Sequence, residues 1–161
     1  MKKLAALVAG LVVLFAFASP AMASATTPVS MTFTEPFIPS VNSDCPVLGL
    51  PNGGVCGNGI FRPFGHATEA IAFGAACGGE CDLRTVYVSG GSIVMEEQAS
   101  NLTECARCHN EHGGPFSATL TDVIVDGTGV FTGASGTLSG TLNGTGLRAT
   151  VRLSGTITFA S

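Results

Sequence analysis

The sequence predicts an all-β fold, either an antiparallel barrel of about eight strands or a two-sheet sandwich. Residues 147–159 alternate without a break, with apolar residues or Gly at odd positions and polar residues at even positions. This period of two is typical of a strand with one buried and one solvated face, and it argues against a helix. Two similar turn tetrads, at 126–129 and 143–146, separate this run from two others at 116–125 and 130–142. The length of these runs favours the barrel, because most strands have about five or six residues.

The two tetrads read Asp-Gly-Thr-Gly and Asn-Gly-Thr-Gly, and their first two residues tolerate the positive φ angles of tight turns. The four-residue loop at 143–146 would place Leu142 opposite Leu147, so that both strands turn the same face inward. We therefore expect an antiparallel hairpin between the last two strands.

Weaker patterns predict the earlier elements. Residues 29–34 are expected to form the first strand, and residues 40–59 an irregular loop rich in Gly and Pro. Alternation returns over 66–73, where Glu69 is the polar exception on an otherwise apolar face. Residues 83–89 and 92–98 are expected to form a hairpin.

The first 23 residues have the three parts of a secretory signal peptide. Lys2 and Lys3 precede an apolar run over 4–17, and Ala21-Met22-Ala23 supplies the small residues of a cleavage site. The apolar run is shorter than the ~20 residues of a membrane-spanning helix. We expect a secreted or extracytoplasmic protein with one domain over 24–161 and no stable membrane insertion after signal removal.

The predicted mature chain is acidic, since five Arg and no Lys face eleven acidic residues, a net charge of −6 with His neutral. Such a chain lacks the cationic surface that supplies most non-specific binding to nucleic acid or anionic lipid. We therefore expect no nucleic-acid partner. A small ligand or a protein remains open as the partner, because a barrel of eight strands can enclose one small molecule.

Residues 127–136 read Gly-Thr-Gly-Val-Phe-Thr-Gly-Ala-Ser-Gly. This stretch resembles the G-x-G-x-F-x-G-x-x-G segment of the allene oxide cyclase and dirigent barrels, and it is similar to Gly/Thr-rich secreted bacterial barrels of unknown role. The resemblance implies an eight-stranded antiparallel barrel. It carries over no catalytic residue, because the cysteine-bearing region has no counterpart in the matching stretch.

All six cysteines lie in the predicted mature chain, which indicates an oxidising compartment and disulfides. If Val88 faces Ile93 in the predicted hairpin, then Cys81 lies opposite residue 100 and Cys77 opposite residue 104. The sulfurs of Cys77, Cys81, Cys105 and Cys108 would then all lie at one end of the sheet. Residues 101–104 resemble a capping box and predict one short helix near 102–108.

Three chemistries fit these cysteines and the two nearby histidines. The expected one is disulfide bonding, with two bridges joining the later cysteine pairs and one joining Cys45 to Cys56. The candidates for disulfides are Cys45, Cys56, Cys77, Cys81, Cys105 and Cys108. This chemistry predicts a small exported binding or structural module with no cofactor and no catalytic residue.

Covalent haem is the first alternative. Cys105, Cys108 and His109 form the C-x-x-C-H pattern, in which two thiols add to the haem vinyl groups and the His ligates the iron. The chain would then be an exported electron carrier. A structural zinc site is the second alternative, with its ligands drawn from Cys77, Cys81, Cys105, Cys108, His109 and His112.

Other polar residues are expected to be solvated. Glu96 and Glu97 are interpreted as a strand end, since neighbours on a strand face opposite ways. His66 is expected at the surface, and Arg148 and Arg152 share the polar face of the last strand.

Overall fold

Eight antiparallel strands close into a barrel in the computed structural model, which describes residues 25–37, 44–105 and 114–160. The strands follow one another around the barrel in chain order, and the first pairs with the last. The predicted all-β fold class is confirmed, and of the two predicted architectures the structure has the barrel and not the sandwich. The signal peptide predicted over 1–23 lies outside the described residues. The strands are β1 (Thr26–Pro36), β2 (Gly54–Arg62), β3 (Gly65–Ala76), β4 (Cys81–Val88), β5 (Gly91–Glu104), β6 (Phe116–Gly127), β7 (Ser135–Thr145) and β8 (Arg148–Thr158).

Alternation along each strand fills the barrel. On β1, for example, Val29, Met31 and Phe33 are buried while the residues between them are exposed. The end of the barrel at which odd-numbered strands begin is filled by packed aromatic rings, and we call it the aromatic end. Phe61 and Phe131 stack there with ring centroids 5.8 Å apart. The opposite end, where odd-numbered strands finish, carries the cysteines and is called the cysteine end.

The region expected to be an irregular loop contains a strand, since β2 begins at Gly54. Its glycines allow close approach of neighbouring chains. A Cβ atom at Gly59 would lie 1.9 Å from the carbonyl oxygen of Thr32 on β1. Composition therefore suggested a loop at a place where the sheet needs small residues.

The registers predicted for both hairpins are wrong, but each error is an even number of residues. Leu142 pairs with Val151, because β7 and β8 continue through the predicted loop and turn at residues 146–147. In the earlier hairpin Val88 pairs with Gly91, and Val86 pairs with Ile93. Because side chains alternate with period two, the predicted inward faces survive both shifts.

The prediction of a short helix near 102–108 is wrong for residues 102–104. Residues 101–104 belong to β5, and Thr103 pairs with Ser117 on β6. The register shifts between Ser100 and Thr103, where Asn101 has a φ of 51°. The polar residues that resembled a capping box thus form a β-bulge. Residues 106–113 lie outside the described residues.

Two short 3-10 turns, Cys77–Gly79 and Gly129–Phe131, are the helical segments of the described chain. The second explains why β7 begins at Ser135, later than predicted: Phe131 turns inward and packs at the aromatic end. Within the described residues there is no helix with the length and apolar character needed to span a membrane.

Candidate functional site

Five charged side chains point into the barrel and form what we call the Arg84 cluster. Each comes from a different strand, and each has at most 6% of its surface exposed. They occupy inward positions in the alternation that elsewhere carry apolar side chains. The members are Glu35 on β1, Glu69 on β3, Arg84 on β4, Glu97 on β5 and Asp122 on β6.

The guanidinium of Arg84 forms ion pairs with four carboxyl groups. Arg84 Nε donates to Glu97 Oε2 at 2.7 Å, and Nη2 donates to the same oxygen. Nη1 donates to Glu69 Oε2 and, at 3.3 Å, to Glu35 Oε1. Asp122 Oδ2 lies 3.2 Å from Nε. Since buried charges are costly without partners, Arg84 is the group that allows these carboxyls to remain inside.

The cluster has more acidic groups than Arg84 can neutralise. Three buried oxygens, Glu69 Oε1 and both carboxyl oxygens of Asp122, have no hydrogen-bond partner among the described residues. Burial raises the pKa of Glu69 to about 8 and that of Asp122 to about 7, with Arg84 acting in the opposite direction. Burial also raises the pKa of Glu35. The cluster therefore holds protons at neutral pH, which lowers the negative charge inside the barrel.

The Arg84 side chain stays protonated and positively charged. Burial alone would lower the pKa of its guanidinium, but the surrounding carboxylates, led by Glu69, raise it well above its ordinary value. Arg84 is thus a permanent cation facing carboxyls whose protonation varies with pH.

Gly57 leaves room for the Glu69 carboxyl group. Gly57 on β2 pairs with Glu69 on β3, and a Cβ atom at residue 57 would lie 2.5 Å from Glu69 Oε1. It would also lie 3.0 Å from the carbonyl oxygen of Thr34. Glu69 therefore occupies space that is present only because residue 57 has no side chain.

The sequence interpretation missed this cluster, and it was wrong about Glu97. Glu97 was expected at a solvated strand end, but it shares the inward face of β5 with Ile93 and Met95. Glu69 was noticed only as an exception to an apolar face. Alternation alone could have identified each inward charge, because all five fall in phase with buried apolar neighbours.

The cysteine end contains the predicted bridge between Cys45 and Cys56, which is confirmed with a Cα–Cα distance of 5.6 Å. Cys77 bonds to Cys81, so the expected bridges between the two later cysteine pairs are wrong for these two residues. The intervening turn folds back on itself, since Cys77, Gly78 and Gly79 have φ angles of 49°, 70° and 103°. This turn brings the two sulfurs of one pair together.

Cys105, at the end of β5, is also disulfide-bonded. Its place beyond Glu104 puts it at the same end of the barrel as the other two bridges. Cys108, His109 and His112 lie outside the described residues, so the haem and zinc hypotheses stay predictions. Within the described ranges, no group of three or more His, Cys, Asp or Glu side chains is arranged to hold a metal ion.

A concave region lies on the outside of β2, β3 and β4, and we call it the outer groove. Its volume is about 670 Å³, within the range of small-molecule sites. Its lining residues include Asn58, Ile60, His66, Thr68 and Tyr87. His66 is exposed there, as expected, and the Tyr87 side chain has 45% of its surface exposed.

A second concavity of about 310 Å³ adjoins the outer groove, sharing Thr68 and Tyr87 with it. Cys45 and Cys56 form part of its wall. The confirmed disulfide therefore shapes one side of this surface, in addition to closing a loop.

A scan against protein-family models and searches of curated proteins and of solved structures each found no match to this chain. The resemblance to allene oxide cyclase and dirigent barrels therefore stays a prediction.

Proposed function

We propose that the mature chain is a small exported, disulfide-stapled barrel that acts as a binding module without catalytic activity. The observation that carries the proposal is the filling of the interior. Aromatic and aliphatic side chains occupy one part of the barrel and the Arg84 cluster occupies another. A ligand is therefore expected on the outside, where the outer groove offers the concave surface.

The chemistry of the outer groove suits a small ligand with one apolar face and several polar groups. Tyr87 and Ile60 offer apolar surface, and the Tyr87 ring is available for stacking. Asn58, His66 and Thr68 offer hydrogen-bond donors and acceptors next to it. Such a mixture is typical of ligand sites on proteins.

The rest of the molecule supports a preformed site. The groove side chains stand on three adjacent strands of a closed sheet, and β2 and β3 pair over eight positions behind them. The Cys45–Cys56 disulfide ties the loop before β2 to that strand. Rigid support of this kind reduces the ordering cost of binding. The two disulfides are also typical of proteins outside the cytosol.

The groove can be tested by recording amide spectra of the isotopically labelled protein against a library of small aromatic and polar fragments. We expect fragments to shift the signals of Asn58, His66 and Tyr87, and expect Tyr87→Ala to abolish these shifts. Val125→Ala is the matched control, because Val125 is 48% exposed on β6, away from the groove. A library whose shifts fall elsewhere, or that produces none, would refute the groove as the site.

The absence of a cofactor is tested by intact mass spectrometry without reductant. Each disulfide lowers the mass by about 2 Da, and the binding-module proposal expects only such losses. A covalent haem adduct, or zinc in native mass spectra, would instead support one of the alternatives at Cys105, Cys108 and His109. Expression in a host with haem-attachment machinery makes the haem outcome observable.

A further inference from the structure

One side of the barrel carries arginines and no outward-facing acid. The four adjoining strands β7, β8, β1 and β2 contain a single acidic residue, Glu35, which is buried in the Arg84 cluster. Arg62 on β2 and Arg148 and Arg152 on β8 are exposed. Within the described part of the chain, none of the three forms an ion pair. We call this surface the basic face.

The acids of the surface lie mainly on the other side. In a closed barrel of eight strands, β4, β5 and β6 are opposite β8, β1 and β2. Five acidic residues belong to that opposite side: Glu80 just before β4, Asp82 on β4, Glu96 and Glu104 on β5, and Asp126 on β6. The predicted mature chain has a net charge of −6, so the basic face is opposite in sign to the net charge of the molecule.

Hydroxyl groups surround these arginines. Arg62 pairs with Ser30, and Arg152 lies between Thr32 on β1 and Thr141 on β7. These three neighbours are exposed, as are other outward-facing hydroxyl residues of the same strands. Further members are Thr26, Thr34, Ser135, Thr137, Ser139, Thr145, Ser154 and Thr156. The surface therefore combines separated cations with many groups that both donate and accept hydrogen bonds.

We propose that the basic face binds an acidic polysaccharide. Arg62, Arg148 and Arg152 would each pair with a carboxylate or sulfate group, for which the planar guanidinium can make two parallel hydrogen bonds. The neighbouring Ser and Thr side chains would bond to sugar hydroxyls. Arg62 follows Ile60 on the outward face of β2, so the basic face borders the outer groove but shares none of its lining residues, and the proposal goes beyond the function proposed above.

The spacing of the cations favours a sparsely charged polymer. Arg148 and Arg152 are four residues apart on one strand, which separates their Cα atoms by roughly 13 Å. A nucleic-acid strand presents a phosphate about every 3.4 Å, much more densely than these arginines could match. Segments that bind anionic lipid usually cluster about four to eight cations. Three separated arginines among hydroxyls fit an acidic polysaccharide better than either.

The test measures binding of the full mature protein to hyaluronate, whose carboxylates lie on alternate sugars, and to densely charged dextran sulfate, with uncharged dextran as reference. We expect binding to hyaluronate that weakens as salt is added. The triple variant Arg62→Gln/Arg148→Gln/Arg152→Gln should lose at least about tenfold in affinity, since its charge-assisted hydrogen bonds are gone. Glu96→Gln, on the opposite side, should bind no more weakly than the wild type.

Equal binding of all three polymers, or undiminished binding by the triple variant, would overturn the proposal. Tighter binding to a DNA duplex or to phosphatidylglycerol vesicles would also overturn it, because the face would then serve another class of partner. Thermal unfolding should show that the triple variant is folded, and the variant with Lys at all three positions retains the charge if the Gln variant is unstable. Fragment binding at Tyr87 should persist in the triple variant, which separates this proposal from that of the outer groove.

Discussion

Arg84 on β4 donates a hydrogen bond from Nε to Glu97 Oε2 on β5 at 2.7 Å, inside the closed barrel. The strand register sets Glu97 opposite Asp82, so the contact is diagonal and needs the long arginine side chain. The same guanidinium also faces Glu35, Glu69 and Asp122. A single side chain thus connects five of the eight strands.

Replacing Arg84 should be strongly destabilising. In Arg84→Met the buried carboxyls lose their cation, and breaking a buried ion pair from one side costs about 3–5 kcal/mol. Urea unfolding at pH 7 measures the loss. Arg152→Met is the matched control on the barrel exterior and should change the free energy of unfolding by less than about 0.5 kcal/mol. Similar losses in both variants would contradict the role given to Arg84.

Stability should fall as pH rises through neutrality. The folded pKa values of Glu69 and Asp122, about 8 and about 7, exceed their ordinary values of 4.5 and 3.8. The folded state therefore binds more protons than the unfolded state between these limits. The stability associated with these protons is complete below about pH 4 and is lost as pH rises through 7 and 8.

Urea midpoints at pH 5, 7 and 9 check this direction. The double variant Glu69→Gln/Asp122→Asn removes both titrating groups, so its midpoint should vary less with pH over this range. A wild-type midpoint that does not fall from pH 5 to pH 9 would contradict the raised pKa values of Glu69 and Asp122.

Gly57→Ala should destabilise the barrel through Glu69. The new Cβ atom would meet Glu69 Oε1 at 2.5 Å, so the carboxyl group that Arg84 Nη1 contacts through Oε2 would have to shift. Overpacking of this kind typically costs about 1–3 kcal/mol. Gly49→Ala serves as control, because a Cβ atom there meets nothing within 4 Å. Thermal unfolding of both variants distinguishes them, and equal midpoints would mean that Glu69 relaxes freely.

The Cys45–Cys56 and Cys77–Cys81 disulfides should contribute unequally to the free energy of unfolding. Cys45–Cys56 closes a loop with a sequence separation of 11, whereas Cys77–Cys81 has a separation of 4. Loop-closure entropy then predicts stabilisation of about 3 and about 2 kcal/mol, respectively. Denaturant unfolding of the Cys45→Ala/Cys56→Ala and Cys77→Ala/Cys81→Ala double variants measures both. A greater loss for the second pair would show that the bridges do not act mainly through the unfolded chain.

The strand faces could be predicted from the sequence much better than the strand partners. Alternation in β8 identifies Val151 and Leu153 as buried, because it is a local property of consecutive residues. Pairing depends on where a turn closes, and the residues around Asn143 are compatible with more than one loop length. Hence Leu142 faces inward as expected, yet it pairs with Val151.

The Arg84 cluster was harder to predict because its members are distant in the chain. Each inward acid, taken alone, resembles an isolated break in an apolar pattern. Only the pairing of β3 with β4 and of β5 with β6 shows that Glu69 and Asp122 share one cation. Alternation predicts whether each side chain faces inward. Its neighbours inside the barrel depend on strand pairing and on closure of the sheet.

The pairing of β1 with β8 has a consequence for recognition. These strands pair over eleven positions, from Thr26 with Thr158 to Pro36 with Arg148, and this seam completes the ring. In such a ring every strand pairs with a neighbour on both sides, so the sheet has no edge strand that an incoming peptide could extend. We therefore expect partners to bind to the outer surface or the ends of the barrel, and not by adding a strand to the sheet.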